Sequence, residues 1–423
     1  MRRILIFFLT NFLFLTEAMA SDTLQLETCY KFAEQKYPLS KKIRQKERIE
    51  ELKQGILTSY FLPQVSLNSK ATYQSQLLEL PFTIPGAESM EFYKDNYEVS
   101  LNVEQLVFDG GSVAAQKDIA ELEKELAVQN VAVDLHALHE KVNDAYFAIL
   151  LADTRKSSLE LLKKELQAKL AIVESQVRNG LATESNADIL KAELLKTNQN
   201  LIETDDDRKA AGKVLEEYID LPITKNTRFG LPKPAYKPNK KNENNRPEYK
   251  AFALSRDLLE GYDDLYSAEY YPKLSGFFEY AYGRPSLNVF ETDFKSYFIA
   301  GVQAKWTLWN WRRTDRNREV LQIQKKQSEA DEETFSKNLS IAVYKSQSEI
   351  EKLEALLKTD REIIDLRERI SDQASSKLDN GLITATDYLT DLNAKIQAQL
   401  TMNIHQIQLV KAKVQYLNII GDM

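Results

Sequence analysis

Apolar and polar residues alternate in four short segments, the pattern of a β-strand with two different faces. These segments are residues 63–73, 97–107, 274–282 and 298–308. They form two pairs, so the pattern predicts two β-hairpins, at about 63–108 and about 272–309. In the last segment the alternation extends through Trp306 to Leu308, and we expect the strand to extend equally far.

A helical periodicity replaces the alternation after each hairpin. Residues 111–178 and 312–377 contain no proline, and their apolar residues step by three and four, as in Leu159, Leu162 and Leu166. A helix of this length extends roughly 100 Å at 1.5 Å per residue. Such a helix is too long to fold within a small domain, so we expect two rods that pack against other rods.

The same short motif ends both helical segments. It is Asn179-Gly180-Leu181-Ala182-Thr183 in the first half and Asn380-Gly381-Leu382-Ile383-Thr384 in the second. Asn and Gly tolerate the left-handed conformation that ends a helix, and Thr is a favoured N-cap for the next helix. The motif therefore predicts tight helical tips at about 179–183 and 380–384, each followed by a returning helix.

The order of these landmarks indicates an internal duplication. Pro63 and Pro272 precede the two hairpins, and Phe108-Asp109-Gly110-Gly111 ends the first hairpin where Trp309-Asn310-Trp311-Arg312 ends the second. We therefore expect a signal peptide at 1–20, a first structural repeat at 21–221, an irregular connection at 222–245 and a second structural repeat at 246–423.

The first 20 residues have the pattern of a secretory signal peptide. Arg2 and Arg3 give a basic start, residues 4–15 are mostly apolar, and Ala18-Met19-Ala20 supplies small residues for cleavage. A membrane anchor is the alternative, but the apolar stretch is too short to span a bilayer. We therefore expect the mature chain to be exported.

The composition argues against an enzyme, a cofactor site and a nucleic-acid partner. The net charge of −7 does not favour nucleic acid, which requires a basic face. The sequence has no Gly-rich phosphate loop, and its one cysteine, Cys29, excludes a cysteine metal cluster. His136, His139 and Glu140 lie within two helical turns, but their order is not that of a metalloprotease motif. We predict no metal site and no cofactor.

Aromatic residues are concentrated at the strand ends. Phe108 ends the first hairpin, and all three tryptophans, Trp306, Trp309 and Trp311, lie at the end of the second. In a membrane barrel, aromatic rings at strand ends lie at the level of the lipid headgroups. An ordinary half-buried sheet is the alternative interpretation of the same pattern.

Four strands are too few for a membrane barrel. A single chain needs at least eight strands to close one, and unpaired strand edges are not tolerated in lipid. If the hairpins lie in a membrane, several copies of the chain must share a barrel. The strand count alone leaves open whether two or three copies do so.

The landmarks together resemble the TolC family of outer-membrane efflux and secretion channels. The resemblance covers the whole mature chain, including both Gly-Leu-x-Thr tips and the Phe-Asp-Gly-Gly hairpin exit. It implies a mostly α fold with β, a homotrimer with a twelve-stranded β-barrel in the outer-membrane lipid, and a twelve-rod α-helical tunnel across the periplasm. It also implies that the tips dock against a periplasmic adaptor (membrane fusion) protein, which connects the channel to an inner-membrane transporter.

The resemblance also points to a pore gate just after the second tip. Asp387 matches the first of two aspartates that ring the closed periplasmic opening in some family members. The second position is Thr390 here, with Asp391 adjacent. The alternative for Asp387 is an ordinary helix N-terminus, where Asp is favoured.

We therefore expect a passive outer-membrane duct of a tripartite efflux or type I secretion system. The alternative is an exported coiled-coil scaffold or adhesin without a pore. That alternative explains the rods, but it does not explain the paired hairpins with aromatic ends.

Overall fold

The computed structural model describes residues 23–76, 93–237, 245–289 and 293–422. The predicted signal peptide and most of the loop of the first hairpin lie outside the described residues. In the described part of the chain, no helix combines the length and the apolar composition needed to cross a membrane.

The described residues are mostly helical, with one small antiparallel sheet, as the two hydrophobic patterns predicted. The helices are α1 (Leu26–Lys36), α2 (Leu39–Ser59), α3 (Ser112–Arg178), α4 (Glu184–Ile219), α5 (Pro247–Ser267), α6 (Arg313–Asp379) and α7 (Ala385–Ile420). The strands are β1 (Gln64–Tyr73), β2 (Asp95–Phe108), β3 (Lys273–Arg284) and β4 (Lys295–Lys305). The predicted long helices are confirmed, since α3 and α6 are continuous and each has 67 residues.

The two hairpins join into a single sheet with the order β1-β2-β3-β4. The connection is the antiparallel pairing of β2 with β3, in which Leu101 lies opposite Tyr280. A bulge between Leu106 and Phe108 shifts the register near the end of β2. The sequence predicted the hairpins but not this central pairing.

The prediction that the last strand reaches Leu308 was wrong, because β4 ends at Lys305. Lys305 pairs with Lys273, the first residue of β3. The residue before Lys273 is Pro272, which has no N–H to donate to a further ladder bond. The ladder therefore stops at Lys305, and residues 306–310 follow outside the sheet.

The chain forms two compact units, and each draws residues from both halves of the sequence. The unit that contains the sheet consists of residues 42–130 and 248–333. The other unit contains both helical tips and the rest of the described chain. We call them the sheet unit and the tip unit.

Two large clusters of buried side chains form the core of the tip unit, beside a third, smaller one. In one, α1 packs on α3 and α4, with Cys29 and Tyr146 fully or almost fully buried. Cys29 is thus an ordinary core residue of the first helix, and burial raises the pKa of its thiol to about 12. The other cluster fills the space between the two tips with Leu166, Leu190 and Leu392, all fully buried.

Residues 222–237, the described part of the connection between the halves, have an irregular backbone, and a few apolar residues there pack against the helices of the tip unit. The ring of Phe229 lies edge-on against Tyr146, at 5.3 Å between centroids. Phe229 also forms a backbone bridge with Leu24. The ring of Tyr236 packs against Tyr416 at 5.1 Å. The described part of the connection is therefore packed against the helices rather than a free linker.

Candidate functional site

One face of the sheet is apolar and exposed. A cross-strand row on this face runs through Leu67, Leu101, Tyr280 and Phe298, and Leu67 is 72% exposed and Phe298 66%. The opposite face carries polar residues and is more enclosed, with Ser100 only 4% exposed. A soluble monomer rarely exposes a large contiguous apolar patch, so the apolar face requires a partner or a lipid environment.

Both edges of the sheet are open. Within the described residues, β1 pairs only with β2 and β4 pairs only with β3. The outer edges of β1 and β4 therefore present backbone N–H and C=O groups to the surroundings. Such an edge is a template for pairing with a strand of another chain.

The predicted interface aromatics lie at the end of the sheet from which β2 and β4 lead into the long helices. The bulge in β2 places Phe108 opposite Leu274, on the apolar face. Trp306 follows the last residue of β4, and its indole Nε1 donates to the carbonyl of Tyr270 at 3.0 Å. The rings of Trp309 and Trp311 contact each other at 5.9 Å between centroids. All three indoles are largely exposed.

The two halves have the same backbone at the hairpin exit, although their residues differ. Gly110 and Gly111 have φ angles of 75° and 92°, and Trp311 and Arg312 both have φ of 59°. Glycine adopts this left-handed region freely, whereas other residues incur roughly 1–2 kcal/mol each. The second half thus holds two large side chains on a backbone that suits glycine.

Both predicted tips end their helices with the same hydrogen-bonded turn. In the first, Gly180 N donates to Val177 O at 3.0 Å and Leu181 N donates to Gln176 O at 2.8 Å. The second repeats this pair of bonds at Gly381 and Leu382. This is the Schellman arrangement, which satisfies the last carbonyls of a helix. Both glycines have positive φ, 72° and 69°.

Side chains join one tip to the other. Gln176 Nε2 donates to the carbonyl of Asp379 at 2.9 Å, so the first rod satisfies the C-terminus of the second. Asn186 Oδ1 accepts from the backbone N–H of Ala385 at 3.2 Å, so the first returning helix satisfies the start of the second. The two tips therefore form one connected structure within the tip unit.

The sequence patterns did not indicate the lysine that is buried between the two tips, Lys169. The Nζ of Lys169 lies 2.8 Å from Asp379 Oδ1 and 2.8 Å from Ser375 Oγ, with its side chain only 8% exposed. The ammonium also lies 5.2 Å from the ring centre of Tyr388, and burial raises the pKa of that phenol to about 12. The available signal was a lysine within an apolar helical seam, at a position three residues after Leu166.

The two candidate gate residues have different surroundings. Asp387 is exposed and forms a capping box, in which Thr384 Oγ1 accepts from Asp387 N and the Asp387 carboxylate accepts from Thr384 N at 3.0 Å. The Thr384 hydroxyl, which donates to the Asp387 carboxylate at 2.7 Å, and the Thr384 N–H together hold the pKa of Asp387 below its ordinary value. Asp391 is half-buried one turn later. The capping box gives Asp387 a structural role at the start of α7 whatever its part in a gate.

Thr183 occupies the same position before α4 but makes no side-chain capping bond. The residue three positions later is Asn186, whose oxygen is bonded to the other tip. The two tips therefore share a backbone but differ at their first helical turn.

The three histidines lie in separate polar contacts rather than in a metal cluster. His139 Nε2 lies 2.8 Å from Glu34, and His405 Nδ1 lies 2.7 Å from Asp360. His136 Nε2 lies 2.9 Å from the carbonyl of Asn418. Among the residues that the structure describes, no group of three or more His, Cys, Asp or Glu side chains is arranged to hold a metal ion.

The model of the outer membrane efflux protein family matches residues 53–219 and 240–420. The chain belongs to this family. The match covers most of both halves of the chain, and it confirms the resemblance to outer-membrane efflux channels and the localisation to the outer membrane. Members of the outer membrane efflux protein family are channels rather than enzymes, as expected for this chain.

Solved structures of outer-membrane channels have the same fold as this efflux-family chain. CmeC of Campylobacter jejuni has a TM-score of 0.69 at 12% identity, over 94% of this chain and 85% of CmeC. VceC of Vibrio cholerae has a TM-score of 0.69 at 13% identity, over 94% and 96%. The open state of MtrE of Neisseria gonorrhoeae has a TM-score of 0.67 at 15% identity, over 94% and 88%. No curated protein matches the sequence.

Proposed function

We propose that this chain forms a homotrimeric outer-membrane duct that carries solutes from the periplasm to the exterior. Three four-stranded sheets would form one twelve-stranded barrel, which would continue into a tunnel of long helices. The duct would be the passive outer component of a tripartite efflux or type I secretion system. The sequence has no nucleotide-binding loop, so the energy would come from an inner-membrane transporter.

The observation that carries this proposal is a sheet with an exposed apolar face and two open edges. Lipid suits the apolar face, but lipid has no water to satisfy the open edges. Pairing β4 of one copy with β1 of the next satisfies every edge once the ring closes. Channels of the family are homotrimers, and this supports three copies rather than two.

We propose further that the two tips are the docking site of a periplasmic adaptor. In a Schellman turn, the residue after the glycine commonly packs back on its own helix. Here Leu181 is 76% exposed and Leu382 is 73% exposed. The bonds between the tips would hold both leucines in fixed positions, which suits an apolar contact with a helical hairpin of the adaptor.

The assembly is tested by fractionation and by single-channel recording. The purified protein should migrate as a heat-modifiable trimer from the outer-membrane fraction, and it should form conducting pores in planar bilayers. Release of the chain by a salt or alkaline wash, without any conductance, would support the scaffold alternative and contradict the duct.

Docking is tested by replacing both exposed leucines, with Leu181→Asp and Leu382→Asp in one variant. Neither side chain supports the described core, so trimer abundance and pore conductance should equal those of the wild type. Export in a cell that contains the cognate adaptor and transporter should fall at least tenfold, together with adaptor cross-linking. Normal export by this variant would contradict docking at the tips and leave the proposed duct intact.

A further inference from the structure

Two lysines face each other at the end of the second hairpin. Lys273 and Lys305 are directly opposite partners in the ladder of β3 and β4, and both are exposed. Like charges in this position destabilise a strand pair. In the described part of the chain, neither ammonium has a carboxylate within ion-pair distance. The pair therefore weakens the hairpin, and no ion pair within the described residues compensates for it.

The lysines line a recess of about 220 Å³ with a third cation. Its lining residues are Glu269, Tyr271, Lys273, Lys305, Thr307, Asn310 and Arg313. Arg313 is 3.5 Å from Glu269, the one carboxylate in this lining, and Glu269 also accepts from Thr314 at 2.6 Å. Pockets for drug-sized ligands measure about 300–1,000 Å³. This recess is smaller, and it suits a single anionic group such as a phosphate or a carboxylate.

The first half of the chain provides an internal comparison. Its cross-strand pair at the corresponding place is Gln64 opposite Glu104, and Ser112 stands where the second half has Arg313. The same architecture therefore folds without any of the three cations. Their presence in the second half is not a requirement of the hairpin or of the helix start that follows it.

Strand alternation places the recess on the polar face of the sheet. Lys273 and Lys305 lie on the same face as Ser275 and Gln303, the cross-strand pair two positions further along the ladder. The neighbouring pair, Leu274 and Ala304, belongs to the apolar face. In the proposed barrel the apolar face contacts lipid, so the lysines face the lumen.

We propose that Lys273, Lys305 and Arg313 form a lumenal anion-binding site in the duct. It binds a small anionic group of the solute in transit, and three copies around the barrel shift the selectivity of the pore toward anions, opposite to the effect expected of the Asp387 ring. This inference rests on the proposed duct, because the apolar face defines the lumen only in a closed barrel. Rings of fixed charge at a pore surface commonly set such selectivity.

The site is tested first by binding, with inorganic phosphate titrated into the detergent-solubilised full chain at low ionic strength. The variant is Lys273→Gln with Lys305→Gln, which keeps polar side chains of the kind found in the first half. We expect it to bind phosphate about tenfold more weakly, since charge-assisted hydrogen bonds are roughly twice as strong as neutral ones. Lys70→Gln is the matched control, because Lys70 also lies on the polar face but opposite Glu98. Equal phosphate affinity in the wild type and the double variant would overturn the site.

Selectivity is then measured as the reversal potential across a planar bilayer with a potassium chloride gradient. In the double variant, the reversal potential should shift toward cation selectivity by more than it does in Lys70→Gln. Glu104→Lys adds a cation at the matching place of the first half, and its reversal potential should shift toward anion selectivity. Phosphate binding by a wild type without pore conductance would contradict the duct but not the anion site. Conducting pores with an unchanged reversal potential would refute the lumenal role of the site and leave the duct intact.

Discussion

Single residues distinguish the two tips, although their five-residue motifs are nearly the same. Thr384 and Asp387 cap α7 with reciprocal hydrogen bonds, whereas Thr183 makes no side-chain capping bond. The residue that would close the capping box differs between the tips. The second tip has the carboxylate of Asp387, whereas the first has the amide of Asn186, whose oxygen accepts from the backbone N–H of Ala385 instead. Both returning helices have a carboxylate in their first turn, Glu184 in α4 and Asp387 in α7, but only Asp387 is held by a capping box.

Asp387 stays our candidate for the pore gate, and Asp387→Asn separates its charge from its capping role. The amide keeps an oxygen that can accept from Thr384, so the trimer should remain folded. We expect lower cation selectivity and weaker block by multivalent cations in single-channel recordings, because a ring of three charges is removed. Asp391→Asn is the companion variant, since Asp391 is the other candidate. Unchanged selectivity and block in Asp387→Asn would exclude the gate.

The charge at Asp387 should also persist into acid. The hydrogen bonds from Thr384 lower the pKa of the carboxyl in the folded chain. The stabilisation that they give is therefore present above the ordinary pKa of aspartate, and it is lost as the pH falls through the lowered value. Cation block should accordingly be constant near neutral pH and decline only below the usual aspartate range.

Trp311 marks a site of backbone strain, and Trp311→Gly tests it. The glycine adopts φ of 59° without a steric penalty, so the free energy of unfolding should rise by about 1 kcal/mol. Thermal unfolding of the detergent-solubilised protein measures the change. Trp309→Gly is the control, because Trp309 is not at positive φ and should gain nothing. A loss of stability in Trp311→Gly comparable to that of Trp309→Gly would show that indole contacts outweigh the strain.

At the scale of elements, helices and strands end at two kinds of residue. One kind has no N–H to donate to a hydrogen bond, and the other adopts positive φ without strain. Pro272 ends the ladder of β3 and β4, and Gly180 and Gly381 end the two long helices. The bulge before Phe108 shifts the register of β2, so that the Phe108 side chain lies on the apolar face. Each end is set by one or two residues, which is why most ends could be predicted.

Gly180→Ala and Gly381→Ala should each destabilise the tip unit by about 1 kcal/mol, because alanine is strained at positive φ. No atom lies within 4 Å of a Cβ at either glycine, so the cost is that of the backbone. Gly55→Ala in α2 is the matched control. Its Cβ also meets open space, but a helical glycine should gain roughly 0.5–1 kcal/mol on replacement. Thermal unfolding should therefore show lower stability for Gly180→Ala and Gly381→Ala and higher stability for Gly55→Ala. A loss of stability in all three variants would contradict the backbone explanation.

At the scale of the whole molecule, the two faces of the sheet require different surroundings. The apolar face suits lipid and the polar face suits water, and one chain cannot provide both. The proposed trimer resolves this by enclosing the polar faces within a barrel. The tip unit would need no lipid, because its described cores are closed by helices of the same chain.

Arginine substitutions on the two faces of β1 test this arrangement. Leu67→Arg places a charge on the apolar face, where arginine costs roughly 2–4 kcal/mol near the bilayer midplane. Asn68→Arg is the adjacent control on the polar face. We expect much less heat-modifiable trimer in the outer membrane for Leu67→Arg and a nearly normal amount for Asn68→Arg. Equal amounts of trimer in the two variants would contradict a lipid-facing apolar surface.

The sequence by itself determined the local architecture. The two long helices, the two hairpins and the tips all followed from periodicity and turn chemistry, which act between residues close in the chain. The tips could be predicted to the residue, because Asn-Gly is the main signal for a left-handed helix end.

Only the tertiary structure decided features that depend on residues distant in the sequence. The pairing of β2 with β3, the early end of β4 opposite Lys273, and the burial of Lys169 beside Asp379 are of this kind. Each depends on which segments meet, and that depends on the packing of many side chains rather than on a local pattern. The facing lysines at the end of the second hairpin likewise became a candidate site only when the register of the strands was known.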